Sequence, residues 1–313
     1  MLSMNAGKDA FYFANEFLSN QFARFAPKLY IDLTHKNGRG DDVVPASEIA
    51  NYFIHCFADY QEQLGLKGIA LNKYLVDKTV LEYGPGDTLC MALLMYAHGA
   101  KRVRCVDRFP LSSLSEKNIE VYRHLINSLN SGERTRAYDA FNERGNPRSG
   151  FNPEAISYQV TNDGLSGAHA EYDLIISCAV LEHVNSLEET MLDIKHALKP
   201  AGLAIHRVDL KSHGLDRHSD FDFLACPPLF YELMYSHKGV PNRWRVNKYR
   251  ELAEKSKLSI KKLTPTGRID QDKVEKIYRK VAKNFGDISP DEFSWLGFWM
   301  HLQHTTATPK SVA

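Results

Sequence analysis

Residues 79–89 constrain the fold of this chain more than any other stretch. Their sequence, Thr-Val-Leu-Glu-Tyr-Gly-Pro-Gly-Asp-Thr-Leu, begins with apolar, β-prone residues and leads into a run of helix formers. Between them, Gly84 and Gly86 permit positive φ angles and remove side chains that would keep a ligand away from the backbone. The pattern predicts a buried strand, a tight turn and a helix whose N-terminus faces a nucleotide-type ligand.

Three kinds of ligand compete for such a turn: a phosphate-tailed nucleotide, a dinucleotide and a nucleoside without phosphates. A phosphate-binding Walker loop requires Gly-Lys-Ser/Thr, but Asp87 follows Gly86. A dinucleotide fingerprint requires a third small residue where Leu89 stands. The carboxylates of Glu82 and Asp87 would repel a pyrophosphate and suit a ligand with an ammonium or sulfonium group. S-adenosylmethionine carries both groups, so the turn favours this cofactor.

The motif at residues 82–86, Glu-Tyr-Gly-Pro-Gly, resembles the first motif of the class I, seven-strand S-adenosylmethionine-dependent methyltransferases. Asp107 follows the next β-prone run, where this family keeps the acidic residue that binds the ribose hydroxyls. Residues 172–177 resemble the family's fourth strand, and residues 198–203 resemble its turn into the fifth strand. The resemblance covers roughly residues 75–265, and the combination is more specific than any one motif.

The resemblance implies a doubly wound, Rossmann-like α/β fold with a mostly parallel seven-strand sheet whose last strand is antiparallel. Alternating strands and helices support parallel βαβ units, with ligands at the carboxyl ends of the strands. We expect residues 1–75 to form a helical segment covering the site and residues 76–313 to form the methyltransferase domain. An insertion at about 209–241, after strand five, is expected to contact the substrate. Alternatively, the aromatic faces of the N-terminal helices only pack against the sheet.

The resemblance also assigns residues to the cofactor. A polar residue after strand three often bonds the adenine amino group in this family, and Asn162 or Asp163 is placed for that role. A plain Asx turn is the competing explanation for these two residues. The predicted cofactor-binding residues are Glu82, Tyr83, Gly84, Pro85, Gly86, Asp107, Arg108, Asn162, Asp163, Gly164, Ser177 and Cys178.

Candidate catalytic residues lie near the ends of strands four and five. Methyl transfer is an in-line displacement that depends mainly on alignment, but a hydroxyl acceptor is helped by a base. His183 follows strand four, where the family often keeps a histidine; His206 lies within strand five. Asp209 ends that strand and His213 comes four residues later, so the two could act as orienter and base. For each histidine alone, a hydrogen-bonded structural role is the competing interpretation.

Charge is distributed unevenly along the chain. Residues 241–285 carry 14 lysines and arginines against 5 aspartates and glutamates, although the whole chain has a net charge of only +1. An anionic partner or the solvated faces of surface helices would each explain this segment. At its start, Arg243 and Arg245 flank Trp244 and could bind a carboxylate or phosphate on the acceptor, or anchor the insertion to the sheet.

The remaining sequence features exclude several classes of protein. No apolar run reaches the ~18 residues of a membrane span, and residues 1–24 lack the pattern of a secretory signal, so we expect a cytoplasmic protein. The five cysteines include no Cys-x-x-Cys pair, which predicts reduced thiols and neither a disulfide framework nor a zinc site. No metal ligand is predicted, and a homo-oligomer is left open.

The leading interpretation is an enzyme that methylates oxygen or nitrogen of a small molecule, such as a sugar or a natural-product intermediate. A nucleic-acid methyltransferase is the first alternative, but strand four lacks the Asn/Asp-Pro-Pro-Tyr/Phe motif of enzymes that methylate flipped bases. Cys178 also lacks the preceding proline of a base-attacking cysteine. The second alternative is a partner subunit that binds the cofactor without catalysis.

Overall fold

A seven-stranded sheet forms the centre of the molecule. The computed structural model describes residues 6–26, 29–30, 33, 44–217 and 219–305, so parts of the two predicted units, 1–75 and 76–313, lie outside the described residues. Within the described residues the strands run in the order β3-β2-β1-β4-β5-β7-β6. They are β1 Thr79–Tyr83, β2 Arg102–Asp107, β3 Ile156–Val160, β4 Tyr172–Cys178, β5 Leu198–Asp209, β6 Leu258–Arg268 and β7 Trp295–His304.

Strands β1 to β5 pair in parallel, whereas β7 is antiparallel to both β5 and β6. The predicted doubly wound, mostly parallel sheet with an antiparallel last strand is therefore confirmed. Its order changes direction at β1, which has β2 on one side and β4 on the other. A crevice at the carboxyl ends of the strands is expected at such a switch point.

Helices cover both faces of the sheet. They are α1 Ala6–Phe25, α2 Ala46–Leu64, α3 Ile69–Leu75, α4 Cys90–Ala97, α5 Glu116–Ser128, α6 Ser131–Tyr138, α7 Leu187–Ala197, α8 Pro228–Tyr235, α9 Val246–Lys255, α10 Gln271–Val281 and α11 Pro290–Phe293. Val80 belongs to the apolar core on one face and Leu81 to the core on the other. Because successive side chains of a strand alternate between faces, a strand buried on both sides is a continuous apolar run.

Two predicted element boundaries are wrong. The polar composition of residues 130–152 predicts an exposed loop, but α6 lies within them and begins after Asn130, whose Oδ1 accepts a hydrogen bond from Glu133 N at 3.2 Å. Asn130 is thus a helix cap, a signal that the polar composition of the segment conceals. The sequence likewise predicts Asn247 as the cap of the helix that ends before Ser256, but that helix, α9, begins at Val246 and the Asn247 amide donates to Phe285 O.

The two N-terminal helices have different surroundings. Helix α2 packs on the sheet: Phe53 and Phe57 are buried in the core, and Tyr60 Oη donates to Ser177 O at 2.7 Å. Helix α1 packs instead on α8, within the insertion that follows β5. Of these two helices, α1 is the one that packs on the insertion.

Candidate cofactor and acceptor site

The glycine turn, residues 84–86, is held against two neighbouring strands. Gly84 has φ +61°, and its N–H donates to Val106 O at 2.8 Å. A Cβ at Gly84 would lie 2.6 Å from Val180 Cγ2, so both the backbone conformation and the space require glycine. Gly86 has φ +76°, and a Cβ there would meet no atom of the described chain within 4 Å. The turn is closed toward the sheet and open on its outer side.

That open side faces a cavity of about 330 Å³ at the carboxyl ends of β1, β2 and β4. Pockets for small ligands and cofactors typically measure roughly 300–1,000 Å³. Seven of the twelve predicted cofactor-binding residues line it: Tyr83, Gly84, Gly86, Asp107, Arg108, Asp163 and Gly164. The other five, Glu82, Pro85, Asn162, Ser177 and Cys178, lie outside the walls that the described residues form.

Asp107 is the main carboxylate of the cavity wall. It ends β2, is only 8% exposed, and its Oδ1 accepts the Phe109 N–H at 3.0 Å. Burial raises the pKa of Asp107, while the nearby backbone amides of Phe109, Arg108 and Gly86 act in the opposite direction. A carboxylate anchored in this way can accept hydrogen bonds from hydroxyl groups of a ligand.

Glu82 and Asp87 do not provide the charge that the sequence predicts for them at the cofactor. Glu82 lies beneath the glycine turn with its Oε2 3.5 Å from Cys105 Sγ, and burial raises its pKa to about 8. Its carboxyl group is therefore mostly neutral at pH 7. Asp87 is 6% exposed and also lies outside the cavity walls of the described chain. The alternation of β1 explains the error, because Glu82 shares a strand face with Val80 and not with Tyr83.

The roof of the cavity comes from two segments that are distant in sequence. Ala23 and Tyr30 belong to the N-terminal segment, and His237, Lys238 and Gly239 belong to the insertion. Sequence reasoning expected coverage from both segments but identified none of these five residues, because no motif marks them.

Buried polar contacts hold the roof together. Asn20 is 1% exposed, and its Nδ2 donates to Leu233 O at 2.9 Å and Ser236 Oγ at 3.1 Å. Its Oδ1 accepts the His237 N–H at 2.9 Å. Lys238 Nζ lies 2.6 Å from Glu16 Oε2 in an ion pair. Glu16 and Asn20 are one turn apart on the same face of α1, so both contacts join this face to the insertion.

Glu182, His183, Asp209 and His213 form a cluster beside the cavity, and His183 is the member that lines it among the described residues. His183 lines the cavity, and the His213 ring stands nearly perpendicular to it at 4.9 Å between centroids. His213 Nε2 is 4.0 Å from Asp209 Oδ1, and His183 Nε2 is 3.9 Å from Glu182 Oε1. Burial lowers the pKa of His183 to about 4, so its imidazole is neutral at pH 7. The structure thus brings together three of the four predicted catalytic residues and adds Glu182, which no sequence motif distinguished.

His206, the fourth predicted catalytic residue, is a structural histidine. It is 0% exposed within β5, and its Nδ1 lies 2.7 Å from Ser177 Oγ on the neighbouring strand. Burial lowers its pKa to about 3. We correct the prediction because a ring enclosed in the sheet cannot reach an acceptor.

The predicted substrate-binding arginines anchor the insertion. Arg245 is 1% exposed, and its guanidinium donates to Leu210 O at 3.1 Å and to Phe293 O at 2.7 Å. Arg243 donates to Cys226 O, and its Cζ lies 4.0 Å from the centre of the Tyr231 ring. The assignment of Arg245 to substrate is wrong because its side chain is buried in the core, and Arg243 lies outside the cavity walls of the described chain.

Six of the fourteen lysines and arginines of the basic segment 241–285 form ion pairs within the described chain. Its partnered side chains are Lys248 with Glu251, Arg250 with Glu292, Lys255 with Glu188, Arg268 with Asp291, Lys273 with Asp220 and Arg279 with Glu275. These contacts support the interpretation of solvated helix and strand faces. In the part of the chain that the structure describes, every helix is too short or too polar to cross a membrane.

A doubly wound sheet, a glycine turn after β1 and a carboxylate at the end of β2 define a class I S-adenosylmethionine-dependent methyltransferase. In agreement, residues 22–256 match a family model described as a methyltransferase domain, and the chain belongs to this family. The protein is therefore an enzyme whose cofactor is S-adenosylmethionine. The residues present fit this cofactor, since the open side of the turn and Asp107 both face one cavity.

Several solved structures resemble the fold. An S-adenosylmethionine-dependent methyltransferase from Mesorhizobium loti is 16% identical, with a TM-score of 0.43, and the match covers 74% of this chain and 92% of that one. Geranyl diphosphate C-methyltransferase from Streptomyces coelicolor is 10% identical (TM-score 0.42; 82% and 83% covered). A TehB-like S-adenosylmethionine-dependent methyltransferase from Corynebacterium glutamicum is 12% identical (TM-score 0.38; 82% and 98% covered). No curated protein matches the sequence.

Proposed function

We propose that this enzyme transfers the methyl group of S-adenosylmethionine to oxygen or nitrogen of a small molecule, such as a sugar or a natural-product intermediate. The observation that carries the proposal is the roof, because Tyr30 and Lys238 lie over the same cavity as the glycine turn. A roofed cavity admits a small acceptor more readily than a base on a nucleic-acid strand. We also propose that residues 1–75 act as the covering segment through α1 and that residues 209–241 complete the cover.

The cofactor positions follow from the cavity walls and the family resemblance. Asp107 binds the ribose hydroxyls, and the open backbone of Gly84 and Gly86 faces the methionine portion. Asp163, which borders the cavity while Asn162 does not, meets the adenine amino group. Glu82, Pro85, Ser177 and Cys178 support the turn and the strand ends from outside the walls. Bound S-adenosylmethionine supplies a methyl group on a cationic sulfur.

The chain's own contribution to the chemistry is alignment in an enclosed site. Holding two reactants in an attack geometry can lower a barrier by about 7–11 kcal/mol. If the acceptor is a hydroxyl, His183 is the group at the cavity wall that can accept its proton, with His213 and Asp209 behind it. The location of this cluster beside the glycine turn supports an acceptor at the β4 and β5 end of the cavity.

The two alternatives make different predictions. A nucleic-acid methyltransferase would need a basic surface free to bind phosphates, whereas six of the fourteen basic side chains of segment 241–285 are paired with carboxylates. A catalytically silent partner subunit would bind cofactor but would have no use for a neutral imidazole on the cavity wall.

The experiment uses the full chain and S-adenosylmethionine labelled in the methyl group. Incubation with a fractionated metabolite extract should label one or a few small molecules, and incubation with RNA or DNA should label neither. At a cofactor concentration below saturation, Asp107→Ala should reduce the labelling by about 10–100-fold, whereas the exposed Asp139→Ala should not. Label in nucleic acid would overturn the small-molecule proposal, and cofactor binding without labelling in any fraction would favour the silent subunit.

A further inference from the structure

We propose that Glu182, His183 and His213 bind one divalent transition-metal cation at the acceptor end of the cavity. One donor atom from each of these side chains lies within 4.8 Å of the others. The three come from different places in the chain: Glu182 and His183 from the turn after β4, and His213 from the insertion after β5. Their convergence is therefore a product of the fold and not of sequence adjacency alone.

The carboxylate of Glu182 points to a metal ion independently of the clustering of the three side chains. Its side chain is only 2% exposed, and neither carboxylate oxygen has a hydrogen-bond partner among the residues that the structure describes. The backbone amides of Glu182 itself and of Asp209 lie near the carboxylate but do not reach hydrogen-bonding geometry. A buried carboxyl group carries its negative charge at little cost only where it is paired or coordinates a metal.

The cation near Glu182 is engaged elsewhere. Arg207, the nearby cation, donates to Asp59 Oδ2 at 3.0 Å on α2. His183 Nδ1 is likewise buried and has no hydrogen-bond partner in the described part of the chain. A cation between these side chains would be coordinated by the carboxylate and by both imidazoles.

The donor set indicates the class of metal. Two imidazoles and one carboxylate suit Zn²⁺ and other first-row cations such as Fe²⁺ or Co²⁺, whereas Mg²⁺ and Ca²⁺ prefer oxygen donors alone. Ligand bonds in such sites are about 2.0–2.2 Å long, so a small closure of the 3.9 Å between His183 Nε2 and Glu182 Oε1 would seat the ion. His213, with a side chain 33% exposed, has room to adjust.

Three protein ligands leave at least one coordination position, and the position of His183 on the cavity wall directs it toward the acceptor. This role of the open coordination position rests on the proposed function. An acceptor hydroxyl bound there would lose its proton to solvent, and its oxygen would form the O–CH₃ bond while sulfur retains the electrons of the broken S–CH₃ bond. In that case His183 and His213 act as ligands and not as bases.

The test is a calorimetric titration of the metal-stripped full chain with Zn²⁺, with the visible absorption of bound Co²⁺ as a second measurement. One ion per chain is expected. Glu182→Gln and His213→Ala should each weaken binding by about tenfold or more. The matched control is His124→Ala, since His124 Nε2 lies 3.8 Å from Glu120 Oε1 on the surface with no third ligand among the described residues. This control should leave Zn²⁺ binding unchanged.

Folding is checked separately. Glu182→Gln replaces an unpartnered buried carboxylate by a neutral amide, so the metal-free variant should melt no lower than the metal-free parent chain. Absence of Zn²⁺ and Co²⁺ binding, or binding that survives both site substitutions, would overturn the proposal. Binding of S-adenosylhomocysteine by the same metal-free preparations reports on the cofactor site, so a failed metal site is distinguishable from a failed methyltransferase assignment.

Discussion

The cofactor side and the acceptor side of the cavity are built in different ways. The cofactor side consists of the glycine turn and the adjacent strand end at Asp107, within one short stretch of chain. The side that we propose for the acceptor is covered by the roof, whose contacts include one between Asn20 and Leu233, 213 residues apart. A methyl donor common to a whole family can be held by a local motif, whereas this cover consists of segments that only the tertiary structure brings together.

The two sides also differ in what keeps them in place. The glycine turn is fixed by close packing of Gly84 against Val180, which tolerates almost no displacement. The roof is held by polar contacts of Asn20 and Lys238 and by aromatic contacts such as that of Phe13 with Phe230, while Leu18 of α1 is exposed to solvent. A surface helix that leaves apolar side chains exposed opens at lower free-energy cost than a packed core. We therefore expect acceptor entry to occur by opening of the roof while the turn stays closed.

The largest effect is expected for Gly84→Ala. Its Cβ would lie 2.6 Å from Val180 Cγ2 at a φ of +61°, and the overpacking and left-handed strain together should lower the free energy of unfolding by about 3–5 kcal/mol. Cofactor binding should be lost with it. Urea denaturation and calorimetry measure the two effects.

Gly65→Ala is the matched control for that change. Gly65 has φ +67° but no described atom within 4 Å of its Cβ position, so only the backbone strain of about 1–2 kcal/mol should remain. Equal destabilisation by the two substitutions would show that packing against Val180 does not fix the turn.

A second test concerns the charge beneath the turn. The pKa of Glu82 is raised from 4.5 to about 8. The parent chain is therefore most stable below pH 4.5, where Glu82 is protonated in both the folded and the unfolded state, and it loses free energy of unfolding as pH rises to about 8. Glu82→Gln has no carboxyl group to ionise, so this loss disappears. The variant should therefore gain stability relative to the parent chain between pH 5 and 8, on the order of 3 kcal/mol.

Urea denaturation at both pH values measures the difference, and Glu120→Gln, at a side chain 61% exposed, is the control. Parallel pH dependence of the parent chain and Glu82→Gln would mean that Glu82 is ionised in the folded protein, and that the cofactor side carries the extra negative charge that the sequence suggested.

The smallest effect is expected at the roof. Asn20→Ala removes the buried amide that joins α1 to Ser236 and His237, and should cost about 1–2 kcal/mol. Hydrogen exchange of α1 and α8 should accelerate, and KM for the acceptor should rise, while affinity for the cofactor changes little. Asn142→Ala, which removes an exposed amide, serves as control. A larger loss of cofactor affinity than of acceptor affinity would contradict the separation of the two sides.

Sequence reasoning predicted the parts of the molecule that depend on local pattern. It placed a buried strand before the glycine turn and Asp107 at the end of the next strand, because period and turn residues act over a few positions. It could not tell which face of β1 carries Glu82, because the pairing of β1 with its neighbours is not visible in the sequence. It also selected Arg245 and His206 by chemical type, and both are structural because of burial that only the packed chain reveals. Asn20 matters because of its contacts with residues more than 200 positions away, and Glu182 matters because its carboxylate has no hydrogen-bond partner in the described chain. Neither property corresponds to a sequence motif.

The central claim is that the glycine turn and Asp107 hold S-adenosylmethionine, and calorimetric titration with S-adenosylhomocysteine tests it most directly. We expect one site of micromolar affinity in the parent chain. Asp107→Ala, confirmed as folded by circular dichroism, should weaken binding by about 10–100-fold, the equivalent of lost hydrogen bonds to a charged group. No measurable binding by the parent chain, or undiminished binding by Asp107→Ala, would contradict the account.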